Sequence, residues 1–195
     1  MPETPTESTS PPIPTTAAPT PETTGVQPDA APEAAPDDST AVAGCRAIDP
    51  LQPAGVSDPE GAHAFTFTGF NGSAGSLSGY AGCGLMINFF ASWCSPCVAE
   101  MPDFEEFWQR HGHRVAVLGL AREDSAEDAL EMIATTGITY PTGMDSTDLF
   151  ITLGGLGMPT TVFISPEGAI LDAYSGLMTA DVILEFADRY FGPLN

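Results

Sequence analysis

The chain has no lysine, and its five arginines stand against 26 acidic residues, which gives a net charge of −21 over 195 residues. Proteins that bind nucleic acids or anionic membranes need basic patches to neutralise phosphate groups. The scarcity of cations therefore argues against both kinds of partner. Seven of the acidic residues lie in the first 44, so the rest of the chain carries 19 against five arginines, a net charge of −14. Such a charge indicates a solvated anionic surface and favours solubility.

Closely spaced cysteines are also scarce. Only Cys94 and Cys97 lie near each other, Cys45 and Cys83 are single, and the three histidines are scattered. A structural zinc site needs four ligands, which usually occur as two closely spaced pairs. We therefore expect no metal ion and no bound cofactor.

The first 44 residues lack the apolar run of a signal peptide or a transmembrane helix. They contain ten of the 19 prolines and no basic residue. A segment of this composition cannot bury enough apolar surface to offset the entropy of its chain. We predict that residues 1–44 are a disordered, acidic linker rich in Pro, Thr and Ala, and that residues 45–195 form one folded domain. We expect the linker to be a tether that follows a signal or anchor segment absent from this chain.

The most informative part of the chain runs from residue 85 to residue 108. Its first six residues, 85–90, are a continuous apolar run and predict a buried strand. A Cys-Ser-Pro-Cys motif follows at 94–97, and apolar residues then recur at helical spacing, at 101, 104, 107 and 108. Pro96 suits the first turn of a helix, where no backbone donor is missed. A strand thus delivers two cysteines to the first turn of a helix.

This placement is typical of thiol–disulfide exchange. The nucleophile in such exchange is a thiolate, and the positive end of the helix dipole stabilises one at Cys94. Cys97 lies one helical turn further on, where it can attack a mixed disulfide at Cys94 and release the reduced product. We predict that both residues are catalytic and that the redox-active disulfide Cys94–Cys97 acts in place of a cofactor. No histidine lies between them to stabilise the thiolate further, so we expect a reducing potential.

The remaining pattern predicts an α/β domain. Strands are expected at 64–68, 85–90, 114–120, 138–140, 160–164 and 169–174, and helices after the cysteine motif and at 125–136, 146–153 and 180–190. This order implies a mixed central sheet with helices on both faces. Pro102 lies inside the first helix and removes one backbone donor, so we expect a kink there.

Three motifs together resemble the thioredoxin superfamily, and more narrowly the TlpA/ResA/DsbE-like thiol-disulfide oxidoreductases. They are Asn-Phe-Phe-Ala-Ser-Trp-Cys-Ser-Pro-Cys at 88–97, Glu-Met-Pro at 100–102 and Gly-Met-Pro-Thr-Thr at 157–161. The resemblance spans about residues 64–192. It implies a thioredoxin-like fold with an N-terminal strand extension and a TlpA/ResA-type insertion at 138–153.

The resemblance also implies roles for residues around the cysteines. Pro159 would be a cis-proline facing the cysteine pair, and the backbone of Met158 would pair with an extended substrate. An ordinary trans-proline is the alternative. Glu100 would take the proton from Cys97, because a partly buried carboxylate has a raised pKa; a solvated helix glutamate is the alternative. Asn88 stands where cytoplasmic thioredoxins carry a buried acid.

The predicted substrate-binding residues are those that flank the two cysteines and the proline. Trp93 would shield the cysteines and contribute to docking, although core packing of its ring is an alternative. The predicted set is Trp93, Ser95, Pro96, Met158 and Pro159.

Cys45 and Cys83 lie outside the motifs of the family. In an oxidising compartment a structural disulfide between them is plausible, and it would close a loop of about 39 residues. Two buried thiols, or a third functional cysteine, are the alternatives. Only a mapping of the disulfides distinguishes these possibilities.

These observations lead us to expect an extracytoplasmic, monomeric thiol-disulfide oxidoreductase, tethered or secreted, in the periplasm or at the outer face of the membrane. We expect it to reduce protein disulfides. The resemblance implies apocytochrome c as a substrate, in cytochrome c maturation, and a membrane thiol-disulfide protein as the electron donor that re-reduces the pair. A disulfide-forming oxidase on the same fold is the main alternative. A potential of about −250 mV or lower indicates a reductase, and one near −120 mV an oxidase. A thiol peroxidase would need Pro at 87 and Thr at 91, where the chain has Ile and Ala, and a non-catalytic binding module would not need both motif cysteines.

Overall fold

The computed structural model describes residues 44–52 and 59–194. All but Gly44 of the predicted linker lies outside these residues. No helix among them is both long and apolar enough to cross a membrane. The strands and helices, in chain order, are β1 (Thr66–Thr68), β2 (Ala74–Ser76), β3 (Gly84–Phe90), α1 (Ser95–His111), β4 (Val115–Ala121), α2 (Ala126–Thr136), β5 (Thr142–Met144), α3 (Leu149–Thr152), β6 (Thr160–Ile164), β7 (Ile170–Ser175) and α4 (Ala180–Phe191).

The seven strands of the described part form one mixed sheet in the order β2-β1-β5-β4-β3-β6-β7. Strands β3, β4 and β5 are parallel, and β6 runs antiparallel to β3. Every residue of β3 and β4 is buried, which explains why both strands read as continuous apolar runs without alternation. The predicted mixed sheet is confirmed, with β3 near its centre.

Helices cover both faces of this sheet, as predicted. On β3, Met86 and Phe90 join the core that includes residues of α1, α2 and α4. Leu85, Ile87 and Phe89 join the opposite core, which includes residues of α3 and of the 3₁₀ turn at Leu77–Tyr80. Successive side chains of a strand point to opposite faces, so one buried strand supplies both cores.

The prediction of a strand at 138–140 is wrong, because this segment is hydrogen-bonded to a helix rather than to the sheet. The amide of Thr139 donates to a carboxylate oxygen of Glu105 on α1 at 2.6 Å, and the Thr139 hydroxyl donates to the other at 2.7 Å. Side-chain acceptors of this kind compete with a strand ladder for backbone donors. Strand β5 begins only at Thr142, after Pro141.

The helix predicted at 146–153 is shorter than expected. Its start is delayed because Asp148 has a left-handed backbone with φ of 55°. The carboxylate of Asp145 accepts hydrogen bonds from the amides of Leu149 at 2.7 Å and Phe150 at 3.1 Å. These amides belong to the first turn of α3 and lack intrahelical partners, so the helix begins at Leu149.

Strand β2, at Ala74–Ser76, was missed by the sequence analysis. Ala, Gly and Ser have low strand propensity. Gly75 pairs with Phe67 of β1, and a Cβ atom on Gly75 would lie 2.4 Å from the Phe67 ring. The strand therefore exists because a glycine leaves room for an aromatic ring of its neighbour.

Helix α1 continues from Ser95 through Pro102 to His111 without interruption. Its apolar residues Met101, Phe104, Phe107 and Trp108 are buried in the core beneath it. The energy of this packing outweighs the loss of one hydrogen bond at the proline.

A disulfide joins Cys45 to Cys83, with 5.8 Å between their Cα atoms. Cys83 directly precedes β3, and the amide of Cys45 donates to the carbonyl of His113, just before β4, at 3.2 Å. The N-terminal segment of the described domain is therefore attached to the starting ends of the two central strands. Of the alternatives left open above, the structure contains the disulfide.

We predict that the double variant Cys45→Ala/Cys83→Ala loses about 3–4 kcal/mol of unfolding free energy, because the bond closes a long loop in the unfolded chain. Urea unfolding of the oxidised protein measures this. Cys94→Ser/Cys97→Ser is the matched control: its loop of four residues predicts a loss of only about 2 kcal/mol. Equal losses in both variants would contradict the loop-entropy explanation.

Candidate active site

The two motif cysteines lie where β3 gives way to α1. Cys94 is the N-cap of α1, and its Sγ accepts a hydrogen bond from the amide of Cys97 at 3.3 Å. The two sulfurs form a disulfide, with 5.3 Å between the Cα atoms. Unpaired amides and the positive end of the helix dipole lie at this position, and both favour a thiolate at Cys94.

The two sulfurs differ in their access to solvent. Cys97 is fully buried, whereas Cys94 is 5% exposed. Core residues pack around Cys94, so only a small part of it is accessible in the disulfide state. Ser95 and Pro96 are exposed in the first turn of α1. An incoming molecule therefore reaches Cys94 before Cys97.

Trp93 lies on the surface, so core packing is excluded as its role. Its side chain is 59% exposed, and the indole Nε1 donates to the carbonyl of Glu123 at 3.0 Å. The preceding residue, Ser92, donates from its amide and its hydroxyl to the carboxylate of Asp124, at 2.6 and 2.8 Å. The loop after β4 thus holds the loop that carries Trp93 and Cys94.

Sequence reasoning missed Asp124. The acidic cluster at 123–124 precedes α2, where acids are common for capping reasons alone. Its contact with Ser92 depends on the parallel pairing of β3 with β4, which brings the ends of both strands to the same edge of the sheet.

The Met158–Pro159 peptide bond is cis. Strands β3 and β6 are antiparallel with Phe89 opposite Thr160, so the residues that follow β3 and those that precede β6 emerge at one edge of the sheet. This pairing brings Met158 and Pro159 to the edge that carries the cysteines. The ladder between β3 and β6 begins at Thr160, so Met158 lies outside it.

Glu100 lies on the buried side of α1 and is fully inaccessible to solvent, so the alternative of a solvated glutamate is excluded. Its Oε1 accepts a hydrogen bond from Asn88 Nδ2 at 2.7 Å, and its Oε2 accepts one from the amide of Met178 at 2.9 Å. The Asn88 amide also donates to Thr161 Oγ1 at 3.4 Å. The carboxyl group is therefore held by β3 on one side and by the segment before α4 on the other.

Burial raises the pKa of Glu100 to about 7. The hydrogen bonds from Met178 and Asn88 oppose this rise, and the negative charge of Asp103 adds to it. The folded state therefore favours the protonated carboxyl group over the ionised one. The resulting contribution to folding stability is complete below the ordinary glutamate pKa of 4.5 and is lost as pH rises to about 7. The group therefore changes its protonation state near neutral pH, one helical turn beyond Cys97.

The contacts of Glu100 were only partly foreseeable. Its position three residues after Cys97 suggested the carboxylate, and Asn88 was noted as a neutral residue on the central strand. The amide of Met178, 78 residues away, left no signal in the sequence, because any residue type supplies the same backbone donor.

Comparison with known proteins identifies a family and several relatives that this chain resembles. A sequence model described as the AhpC/TSA family matches residues 60–173. The thioredoxin-like protein YneN of Bacillus subtilis is 27% identical over 128 residues, which cover 64% of this chain and 75% of that one. The thiol-disulfide oxidoreductase ResA of Oceanobacillus iheyensis is 33% identical over 107 residues, which cover 54% of this chain and 56% of the relative.

Solved structures show the same architecture. A thioredoxin family thiol:disulfide interchange protein from Chlorobium tepidum has a TM-score of 0.61 at 24% identity and covers 71% of this chain and 100% of its own. The exposed lipoprotein thioredoxin Etrx1 of Streptococcus pneumoniae has a TM-score of 0.55 at 31% identity and covers 64% of this chain and 98% of its own. The predicted thioredoxin-like fold is thereby confirmed.

Proposed function

Because the chain belongs to the AhpC/TSA family and resembles thiol-disulfide oxidoreductases of the ResA and DsbE type, we propose that it is an extracytoplasmic protein-disulfide reductase. The observation that carries the proposal is the pairing of an N-cap cysteine, Cys94, with a buried cysteine one turn further along α1.

The reaction begins with the reduced pair. The Cys94 thiolate attacks one sulfur of a substrate disulfide, so that a Cys94–substrate bond forms and the other substrate sulfur leaves as a thiolate. Cys97 loses its proton and attacks the Cys94 sulfur, which releases the second substrate thiolate. Two electrons have then passed to the substrate, and the Cys94–Cys97 disulfide seen in the structure has formed. A dithiol donor, which we propose to be a membrane thiol-disulfide protein, must reduce it again.

Apolar side chains around the cysteines support a polypeptide as the substrate. Trp93 is exposed in the loop before Cys94, and Leu156, two residues before Met158, is 91% exposed. Leu177 is exposed beside Gly176, whose amide donates to the carbonyl of Pro159 at 2.9 Å. Three loops at one edge of the sheet thus carry large apolar side chains, as protein-binding surfaces do. The Met158 backbone, outside the ladder, is free to pair with an extended segment.

Two features support an extracytoplasmic location. The second disulfide, Cys45–Cys83, is of the kind that persists in oxidising compartments. One structural neighbour is named an exposed lipoprotein. We therefore propose that the protein acts outside the cytoplasm, tethered through its N-terminal segment or secreted, with cytochrome c maturation as the process that the ResA-like resemblance suggests.

We predict that Cys97→Ser forms a stable one-to-one mixed disulfide with an oxidised peptide that contains Cys-x-x-Cys-His, the c-type haem attachment motif. Without the resolving sulfur, the bond at Cys94 is not released. Mass spectrometry of the non-reduced mixture detects the adduct. Cys94→Ser is the matched control and should form none; adducts of equal yield in both variants would contradict the assigned roles.

We predict that the Cys94–Cys97 couple has a reduction potential of about −250 mV or lower. Equilibration with glutathione or dithiothreitol redox buffers, followed by alkylation of free thiols, measures it. The Cys45→Ala/Cys83→Ala variant isolates the signal of the active pair. A value near −120 mV would instead assign the protein to disulfide formation.

We predict that Glu100 accepts the proton of Cys97 in the resolving step. The carboxylate is ionised above a pH of about 7, so the rate of resolution should rise as pH increases through that value. Glu100→Gln should lose this rise and slow the step about tenfold or more. Stopped-flow measurement of the second product thiol, in a single turnover, follows the step.

The matched control for Glu100→Gln is Glu106→Gln, the same change at an exposed position of α1. It should leave both the rate and its pH profile unchanged. An unaltered profile in Glu100→Gln would show that the proton goes elsewhere.

A further inference from the structure

Two buried polar atoms near Glu100 have no hydrogen-bond partner in the described part of the chain: the Tyr140 hydroxyl and Asn88 Oδ1. Tyr140 is 3% exposed and Asn88 is fully buried. Buried polar atoms nearly always have a hydrogen-bond partner, so two unpaired ones in the same region of the core need an explanation. A hydroxyl can donate and an amide oxygen can only accept, so the two are complementary.

The backbone of β4 brings these two groups together. Gly119 of β4 is the register partner of Asn88 on β3. A Cβ atom on Gly119 would lie 3.0 Å from Tyr140 Cε2, the ring carbon next to the one that bears the hydroxyl. The hydroxyl end of the tyrosine therefore lies against β4, on the strand next to Asn88. A side chain at 119 would crowd the ring unless the ring shifted by a few tenths of an ångström.

The other end of Tyr140 is held from α1. The Glu105 carboxylate binds the amide and hydroxyl of Thr139, the residue before Tyr140. Glu105 follows Glu100 by five residues on the same helix. The tyrosine ring thus extends from the side of α1 into the layer between α1 and the sheet, where the Glu100 carboxyl is buried.

Few titratable groups face Glu100 in this layer. On α1 they are Cys97, one turn before Glu100, and Asp103, one turn after it. Tyr140 is the third and lies in the segment before β5. Among the described residues, β3 and the segment before α4 bind Glu100 through neutral donors, the Asn88 amide and the Met178 amide. β6 presents the neutral Thr161 hydroxyl, which accepts a hydrogen bond from Asn88. Of these neighbours, Asn88 binds Glu100 directly and lies opposite Gly119, against which the tyrosine ring packs.

We propose that Tyr140 is a positioning residue of the redox centre: its hydroxyl donates to one buried water that in turn donates to Asn88 Oδ1, and thereby fixes the amide that holds Glu100. With Oδ1 engaged by a donor, Nδ2 remains directed at Oε1 of the carboxylate. A chain of hydrogen bonds then runs from the tyrosine through the amide to the carboxylate, and its members polarise one another. The role of this chain in turnover rests on the proposed function, in which Glu100 takes the proton of Cys97.

The direction of the effect follows from the donors. Hydrogen bonds to an ionised carboxylate stabilise the charged form and lower its pKa. Loss of the Tyr140 hydroxyl weakens the donor at Asn88, so Glu100 should hold its proton to higher pH. Burial raises the pKa of Tyr140, and the negative charge of Glu100 adds to this rise. The tyrosine hydroxyl therefore stays protonated, and able to donate, over the pH range in which Glu100 titrates.

The test is a carbon-13 NMR titration of the Glu100 carboxyl group in the oxidised full chain, assigned with Glu100→Gln. Tyr140→Phe should raise the midpoint from its value of about 7 by about half a pH unit or more. Such a shift halves the ionised fraction at pH 7 and slows resolution about twofold. The titration does not require turnover, so it tests the proposal even if the reductase activity fails.

Tyr80→Phe is the matched control. Tyr80 is 1% exposed and its hydroxyl also lacks a partner in the described part of the chain, but it lies in the core on the opposite face of the sheet. This variant should leave the midpoint of Glu100 within 0.1 unit of its original value. A midpoint that is unchanged or lower in Tyr140→Phe, or equally raised in both variants, would overturn the proposal.

A double variant tests the route through Asn88. If the hydroxyl acts on Glu100 only through the amide, Tyr140→Phe should add no further shift when Asn88→Ala is already present. A full additional shift would show that the tyrosine acts on the carboxylate independently of Asn88, and would overturn this route. Near-ultraviolet circular dichroism of each variant confirms that the fold is retained.

Discussion

The junction between β3 and α1 is the constraint on which the redox centre depends. β3 is buried on both faces, so its end cannot shift without disturbing two cores. Four residues after it, Cys94 caps α1 and binds the amide of Cys97. The packing of this strand therefore sets the position of the Cys94 sulfur, for which we propose the nucleophilic role.

Burial of the Glu100 carboxyl group is the main cost in folding free energy of this redox centre. Glu100 has no access to solvent, and its hydrogen bonds come from a strand side chain and a distant backbone amide. Asn88, a neutral amide on the central strand, provides a donor without adding a second buried charge. The result is a group that gains or loses a proton near neutral pH, on the helix that carries the two sulfurs.

The two disulfides lie at opposite ends of β3. Cys83 precedes the strand and Cys94 follows it, and seven strand residues span about 20 Å. At that separation the Cys45–Cys83 bond cannot exchange directly with the active pair. It attaches the N-terminal part of the described domain to the end of the sheet opposite Cys94.

Sequence motifs and hydrophobic periodicity predicted much of the secondary structure and the fold of this protein. The buried strand, the cysteine pair on a helix and the helix that ends at Thr136 were predicted correctly, because each depends on local spacing or on neighbouring residues. Both faces of the sheet are covered by helices as the alternation of strands and helices implied, whereas the predicted insertion at 138–153 stays a prediction.

The tertiary structure decided what local spacing cannot encode. The segment before Pro141 is bound to α1 by Glu105 instead of forming a strand, β2 exists because Gly75 admits the ring of Phe67, and Asp124 reaches Ser92 across paired strand ends. The amino-acid sequence by itself determined the spacing of Cys94 and Cys97, because the proposed sulfur chemistry needs particular side chains one helical turn apart. Only the folded chain decided which groups surround Glu100, because those contacts join residues far apart in sequence through backbone atoms that every residue type shares.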